Sequence, residues 1–355
     1  FSDIAISRRR IVFDDFFVLQ LALALRRKKI RQDGRGIVFK INEDFILNFV
    51  KSLPYELTNA QKRVIETIKN DMASSKPMNR LIQGDVGSGK TIVALIACLI
   101  AVDNGYQAAI MAPTEILAQQ HYFKIKEVLS GMNVDVVLLS GGQKKSGKEK
   151  SAKKLSLDIP LIAIGTHALI QDKVKFSKLG LVIVDEQHRF GVAQRSALRI
   201  KGKNPHLLVM TATPIPRSLA LTVYGDLDLT VIDEMPAGRK PVETYILHPS
   251  ERERAYHLIR SQIKLGQQAF IIYPLVNQGE TDEVKAAVQE HHYLQKEIFP
   301  DLKLGLLHGR LRQEEKDRTM SRFRKGDFHI LVSTSVVEVG VDVPNATVML
   351  IEGAN

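Results

Sequence analysis

The chain of 355 residues is short of cysteine, of long apolar runs and of acidic side chains. Cys98 is the only cysteine, so no disulfide can close within the chain and a disulfide-stapled scaffold is excluded. A reducing compartment, the cytoplasm, is the expected location. Cys98 itself lies in "TIVALIACLIAV", where a small buried hydrophobe is the expected role. That run is too short to cross a bilayer, and the apolar stretch at 11–30 is interrupted by Asp14, Asp15 and Gln20. No basic leader followed by an apolar region opens the chain, so neither secretion nor a membrane partner is expected. Its first residue is Phe rather than Met, and a piece of a longer protein is expected. Against 50 Lys and Arg stand 39 Asp and Glu, a net charge of +11. Such an excess points first to a polyanion and second to a merely soluble basic protein. The ordinary apolar content of 45% and charged content of 25% exclude a disordered chain.

What is present has a clear order. "IVFDDFFVLQLALALRRKKI" (11–30) reads as one helix, acidic at its start and basic at its end, and is expected to be a packed linker helix. From Leu57 onward "RLIQ", "AAIMAP", "VDVVLLS", "LIAIGT", "LVIVDE" and "HLLVMTAT" alternate with helical stretches at 59–73, 92–104 and 115–130. Short continuous Val/Ile/Leu runs suit strands covered on both faces, hence a doubly wound α/β lobe with a parallel sheet. "DEMPAGRKP" (233–241) breaks the pattern. It resumes as "VETYILH", helix 251–265, "QAFIIYPLV", helix 282–299, "LKLGLLHG", helix 311–325, "HILVST" and "ATVMLIEG". The expected division is a connecting segment at 1–51, a first lobe at 52–235 and a second, incomplete lobe at 236–355. The lysine-rich "GGQKKSGKEKSAKK" (141–154) is expected to be a loop and the start of a helix, a solvated surface in preference to a polyanion contact.

Gly84-Asp85-Val86-Gly87-Ser88-Gly89-Lys90-Thr91 fits G-x-x-x-x-G-K-[ST] between a strand and a helix. The glycines allow backbone N–H groups to converge on phosphate oxygens, Lys90 reaches the β and γ phosphates, and Thr91 offers a hydroxyl to Mg²⁺. Asp185 and Glu186 end an apolar strand, where such sheets place ligands. Asp185 suits the Mg²⁺ shell and Glu186 the positioning of an attacking water. Two lobes sharing one phosphate loop point to a nucleotide site between them.

The series "LTNAQ", "GDVGSGKT", "APTEILAQQH", "GTHAL", "DEQH", "TATPIPR", "LHGRL" and "STSVVEVGVDVP" resembles a superfamily 2 helicase motor throughout residues 57–355. Within that superfamily "DEQHRFGVAQR", "MTATPIPRSLALTVYGDLD" and "VVEVGVDVPNATVM" are similar to the RecG family of bacterial ATP-dependent DNA helicases. The resemblance implies two RecA-like lobes, ATP and Mg²⁺ as cofactors, and branched or forked DNA as partner. It also implies fork regression and Holliday-junction migration in recombination and repair. A monomer is expected. By the same resemblance Gln61 reads the adenine edge, with Tyr55 either stacking on the base or half-buried in the core. His188, Thr211 and Thr213 couple phosphate loss to movement, and Gly340 and Asp342 face the nucleotide from the second lobe. Expected DNA contacts are Pro113, Thr114, Gln119, Gly165, Thr166, His167, His308, Gly309, Arg310 and Thr334, and these should be mostly to phosphates.

Two family parts are not found: a Gln- and Arg-containing motif beyond "VMLIEGA" and a wedge domain before residue 1. Weak ATP binding and no unwinding are therefore expected of the chain as it stands, since loss of an arginine finger costs about 10³–10⁵ in turnover. The transcription-repair coupling translocases (the Mfd family) share the motor and form the nearest rival. A nucleotide module coupled to a protein partner is the rival from another class.

Overall fold

A computed structural model describes residues 2–32, 36–143, 145–186, 197–213, 227–237, 242–273, 280–334 and 343–353. The chain divides into two compact units, Phe1–Lys240 and Pro241–Asn355.

In the first unit the continuous apolar runs become strands: β1 (Asn79–Gly84), β2 (Gln107–Met111), β3 (Asp135–Leu139), β4 (Leu161–Gly165), β5 (Leu179–Val184) and β6 (His206–Thr211). A further strand, β7 (Asp228–Ile232), completes a seven-stranded sheet in the order β3-β4-β2-β5-β6-β1-β7, with every pairing parallel. Helices among the described residues include α1 (Ser2–Gln32), α2 (Glu43–Ser52), α3 (Asn59–Met72), α4 (Lys90–Asp103), α5 (Glu115–Val128) and α6 (Lys145–Leu155). The α4 helix is apolar all round, and Ile92 through Val102 are all buried, as such a helix requires. Cys98 sits there fully buried, and burial pushes its thiol pKa up.

The segment after Gly36 is tied to this core through one histidine. His206 Nδ1 accepts from the Met78 N–H at 2.9 Å, so its Nε2 carries the proton and donates to the Ile37 carbonyl at 2.7 Å. Phe39 covers the ring, with centroids 5.1 Å apart. Burial lowers the His206 pKa, consistent with the neutral tautomer these bonds demand.

The second unit contains α7 (Arg252–Lys264), β8 (Gln268–Tyr273), α8 (Glu280–Tyr293), β9 (Leu304–Leu307), α9 (Gln313–Arg324), β10 (Ile330–Thr334) and β11 (Ala346–Ile351). Its parallel sheet has the order β11-β8-β10-β9. That is the order β5-β2-β4-β3 of the first unit, strand for strand. The repeat extends to side chains. Gln107 opens β2 and its amide donates to the carbonyls of Leu155, Leu157 and Ile159, which lead into β4. Gln268 opens β8 and donates to the carbonyls of Phe323 and Phe328, which lead into β10.

Three expectations need correction. "VETYILH" (242–248) is not a strand: Val242, Tyr245 and Ile246 are exposed, Ile246 at 97%, and no strand pairs with the segment among the described residues. The helix expected at 11–30 begins at Ser2, and the large apolar side chains described along it are exposed within this chain. Ile4, Ile6, Ile11, Phe13, Phe16, Phe17 and Val18 are all exposed, because its apolar residues are spread round the axis rather than gathered on one face. The helix expected at 282–299 is helical from Glu280 to Ile298, but its last five residues, Leu294–Ile298, are wound as a π-helix.

Candidate nucleotide and nucleic-acid site

The phosphate loop joins β1 to α4. Gly87 and Gly89 adopt φ of +79° and +85°, a left-handed conformation in which L side chains are strained. Lys90 is buried, and its Nζ donates to the carbonyls of Gly84 at 2.8 Å and Asp85 at 3.0 Å. The ammonium is thus tied to carbonyls at the start of its own loop. Gln61 closes the loop from the side. Its Oε1 accepts from the Thr58 N–H at 2.9 Å, forming the capping box of α3, and its Nε2 donates to the Ser88 carbonyl at 2.8 Å. The side chain is only 1% exposed, so it acts in this structure as a strut between α3 and the loop. Tyr55, just upstream, is half-exposed.

The adjacent strand ends bring the acidic pair alongside. β6 lies between β5 and β1, so Asp185, Glu186 and Thr211 share the carboxyl edge that opens into the loop. Asp185 Oδ1 accepts from the Glu186 N–H at 3.1 Å. Glu186 is one of two described non-glycine residues with positive φ, at +49°, a strain of the kind concentrated at active sites. Its Oε2 stands 3.5 Å from the Ala212 N–H, at the limit of a hydrogen bond. The hydroxyls of Thr211 and Thr213 flank that amide and are 2.8 Å from each other. Glu186 therefore meets the Thr211–Thr213 turn at the Ala212 amide.

Thr91 would offer one hydroxyl and Asp185 one carboxylate, a sparse all-oxygen set. This fits Mg²⁺, which keeps several waters and takes few protein ligands beside substrate phosphates.

The DNA-contact candidates gather at carboxyl ends of strands. Pro113 and Thr114 follow β2. The Thr114 hydroxyl caps α5 by accepting from the Leu117 N–H at 3.3 Å, and Gln119 is half-buried on that helix. Gly165 ends β4; a Cβ there would meet the Leu139 carbonyl at 2.1 Å. Thr166 is buried with no partner for its hydroxyl among the described residues, while His167 is exposed. In the second unit His308, Gly309 and Arg310 follow β9, and Thr334 ends β10. His308 Nδ1 is buried without a partner among the described residues, and burial, with Lys316 and Arg310 nearby, lowers its pKa. By the shared strand order, β9 corresponds to β3, whose end carries Gly141 and Gly142, absent from the sequence-derived set. His188, Gly340 and Asp342 lie outside the described residues.

One polar neighbour of the site was also missed. His121, on α5, places Nε2 2.8 Å from Asp185 Oδ2. It stands at the end of the quoted "APTEILAQQH", but its partner is 64 positions away, and no local spacing reveals that.

The DEAD/DEAH box helicase family model matches residues 58–235, and the helicase conserved C-terminal domain matches 251–355. The ATP-dependent DNA helicase RecG of Thermotoga maritima is 54% identical over 98% of this chain and 44% of its own length. The Synechocystis RecG is 50% identical over 99% of this chain and 42% of its own. A solved structure of RecG bound to a three-way DNA junction superposes with a TM-score of 0.82 at 51% identity, covering 96% of this chain and 45% of that one. The chain thus spans less than half the length of these relatives. With a phosphate loop, an Asp-Glu pair and a Thr-Ala-Thr turn on one edge of a parallel sheet, it belongs to the DEAD/DEAH box helicase family, and over almost all its length it is similar to RecG helicases.

Proposed function

We propose that this chain is the motor of an ATP-dependent helicase that remodels branched or forked DNA, regressing stalled forks and migrating junctions. The observation that weighs most is the meeting of Lys90, Asp185, Glu186 and the Thr211–Thr213 pair on one edge of a parallel sheet. The similarity to RecG helicases, one of them solved on a three-way junction, favours branched DNA over other nucleic acids.

In this mechanism the backbone amides of 85–90 bind the phosphates, and Lys90 turns its ammonium from the loop carbonyls toward the terminal ones. Thr91 and Asp185 would hold Mg²⁺, which would supply charge to offset that on the phosphate oxygens. Glu186 Oε2 orients the attacking water and accepts its proton. Because that oxygen rests on the Ala212 amide, a shift of the carboxylate is felt by the hydroxyls of Thr211 and Thr213, which can exchange partners when the phosphate departs. The DNA candidates touch backbone rather than bases, as a motor indifferent to sequence requires.

The test is binding of a fluorescent ADP and of a synthetic fork. Saturable nucleotide binding, weakened at least roughly 100-fold by Lys90→Ala, together with fork binding that falls steeply with salt, is the expected result. Absence of either in the unaltered chain would remove the proposal.

A further inference from the structure

His121 lies on the core-facing side of α5, one turn beyond the buried Leu117 and Ala118 and one turn before the buried Ile125. A polar side chain there needs a partner, and it has one. The Asp185 carboxylate can only accept, so His121 Nε2 donates to Oδ2 at 2.8 Å. The other oxygen, Oδ1, takes the Glu186 N–H. With each oxygen held from a different direction, the plane of the carboxylate is fixed. The two side chains are 12% and 13% exposed, so water competes little for the bond.

The helix that bears His121 begins at Thr114, an expected DNA contact, and Thr114 and His121 are about 10 Å apart along its axis. A strand seated on the start of α5 therefore moves, or steadies, the group that holds Asp185. We infer that His121 is a positioning residue that links occupancy of the DNA site to the affinity of the Mg²⁺–nucleotide site. This rests on the function proposed above. His121 acts here only as a hydrogen-bond donor, and it touches neither nucleotide nor DNA.

The experiment measures Mn²⁺ binding in the presence of ADP by electron paramagnetic resonance, with and without forked DNA. The unaltered chain is compared with His121→Leu and His121→Gln. These replacements are of similar size, and only the glutamine can donate to Oδ2. In the unaltered chain the fork should tighten Mn²⁺–ADP binding roughly five-fold or more, the usual lower bound of coupling between sites. His121→Leu should reduce the tightening to below about two-fold while fork affinity measured without Mn²⁺ and ADP stays unchanged. His121→Gln should restore most of it. A purely structural histidine would instead lower the melting temperature in both variants, with the linkage intact. Retention of the linkage in His121→Leu overturns the inference, as does an unaltered chain that binds fork and Mn²⁺–ADP independently. Both results leave the proposed function standing. That function fails separately if the unaltered chain binds no nucleotide or no fork.

Discussion

Gly89 shows how narrow the tolerance of the phosphate loop is. Its φ of +85° costs an L residue about 1–2 kcal/mol by itself. In addition, a Cβ would stand 2.2 Å from Gln61 Nε2, the atom that bonds the Ser88 carbonyl. Gly89→Ala must therefore either displace Gln61 or refold the loop, and both routes spoil the convergence of N–H groups. The expected result is loss of fluorescent-ADP binding by roughly 100-fold, with the melting temperature lowered by only a few degrees. His206 provides a second residue-scale prediction, in pH. Its folded-state pKa is held below the ordinary 6.5 by burial. The unfolded chain therefore takes the proton first as pH falls. The stabilisation is fully present above about pH 6.5 and is lost as pH drops through that value toward the folded one. Protonation would also set an N–H against the Met78 N–H, which now donates to Nδ1. Urea midpoints of the first unit at about pH 7.5 and 5.5 should differ more in the unaltered chain than in His206→Asn.

Among the elements, the paired glutamines are the most telling. Gln107 and Gln268 occupy the same place in two sheets of the same strand order, each fastening the turn that feeds the neighbouring strand. Neither can be replaced by an apolar residue without leaving partly buried carbonyls unsatisfied, at about 1–3 kcal/mol. Gln107→Leu should destabilise the first unit, and Gln268→Leu the second, each by that amount in denaturant titration. Hydrogen exchange should rise at 155–161 in one variant and at 323–330 in the other. These clamps could not be seen in the sequence, because a glutamine that opens a strand looks like ordinary solvated punctuation. The strands themselves could be seen wherever both faces are buried and the residues are apolar: β2 and β4 to β6 are mostly Val, Ile, Leu, Ala and Met, while β1 shows only Leu81 and Ile82 between polar residues. β7 escaped because Asp228, Thr230 and an exposed Val231 dilute the pattern at a sheet edge. "VETYILH" misled for the opposite reason: its β-branched and aromatic residues favour a strand, but pairing depends on a neighbour that sequence does not supply. At the site, the phosphate loop and acidic pair were legible because one loop or strand end holds each motif. The His121–Asp185 bond joins a helix to a strand and only folding reveals it.

At the scale of the whole molecule, the excess of basic residues, net +11, has two possible meanings. It can be a diffuse field that attracts any polyanion, or it can include discrete cations seated on phosphates at the carboxyl ends of the strands. Salt separates these meanings. Each phosphate neutralised by a protein cation adds about 0.9 to the slope of log affinity against log salt on duplex DNA. Arg310 is exposed at the end of β9, in the topological place that glycines occupy after β3, and it would be such a cation. Gln119, on the half-buried face of α5, is neutral. If the strand ends form a real track, Arg310→Ala should weaken fork binding for every sequence alike and flatten the slope by about 0.9. Gln119→Ala should weaken binding at all salt concentrations without changing the slope. A diffuse field predicts otherwise: removing one charge from so large an excess would barely alter the slope, and removing a neutral amide would do nothing. Fork binding titrated across about 50–200 mM salt for the three proteins distinguishes the two outcomes.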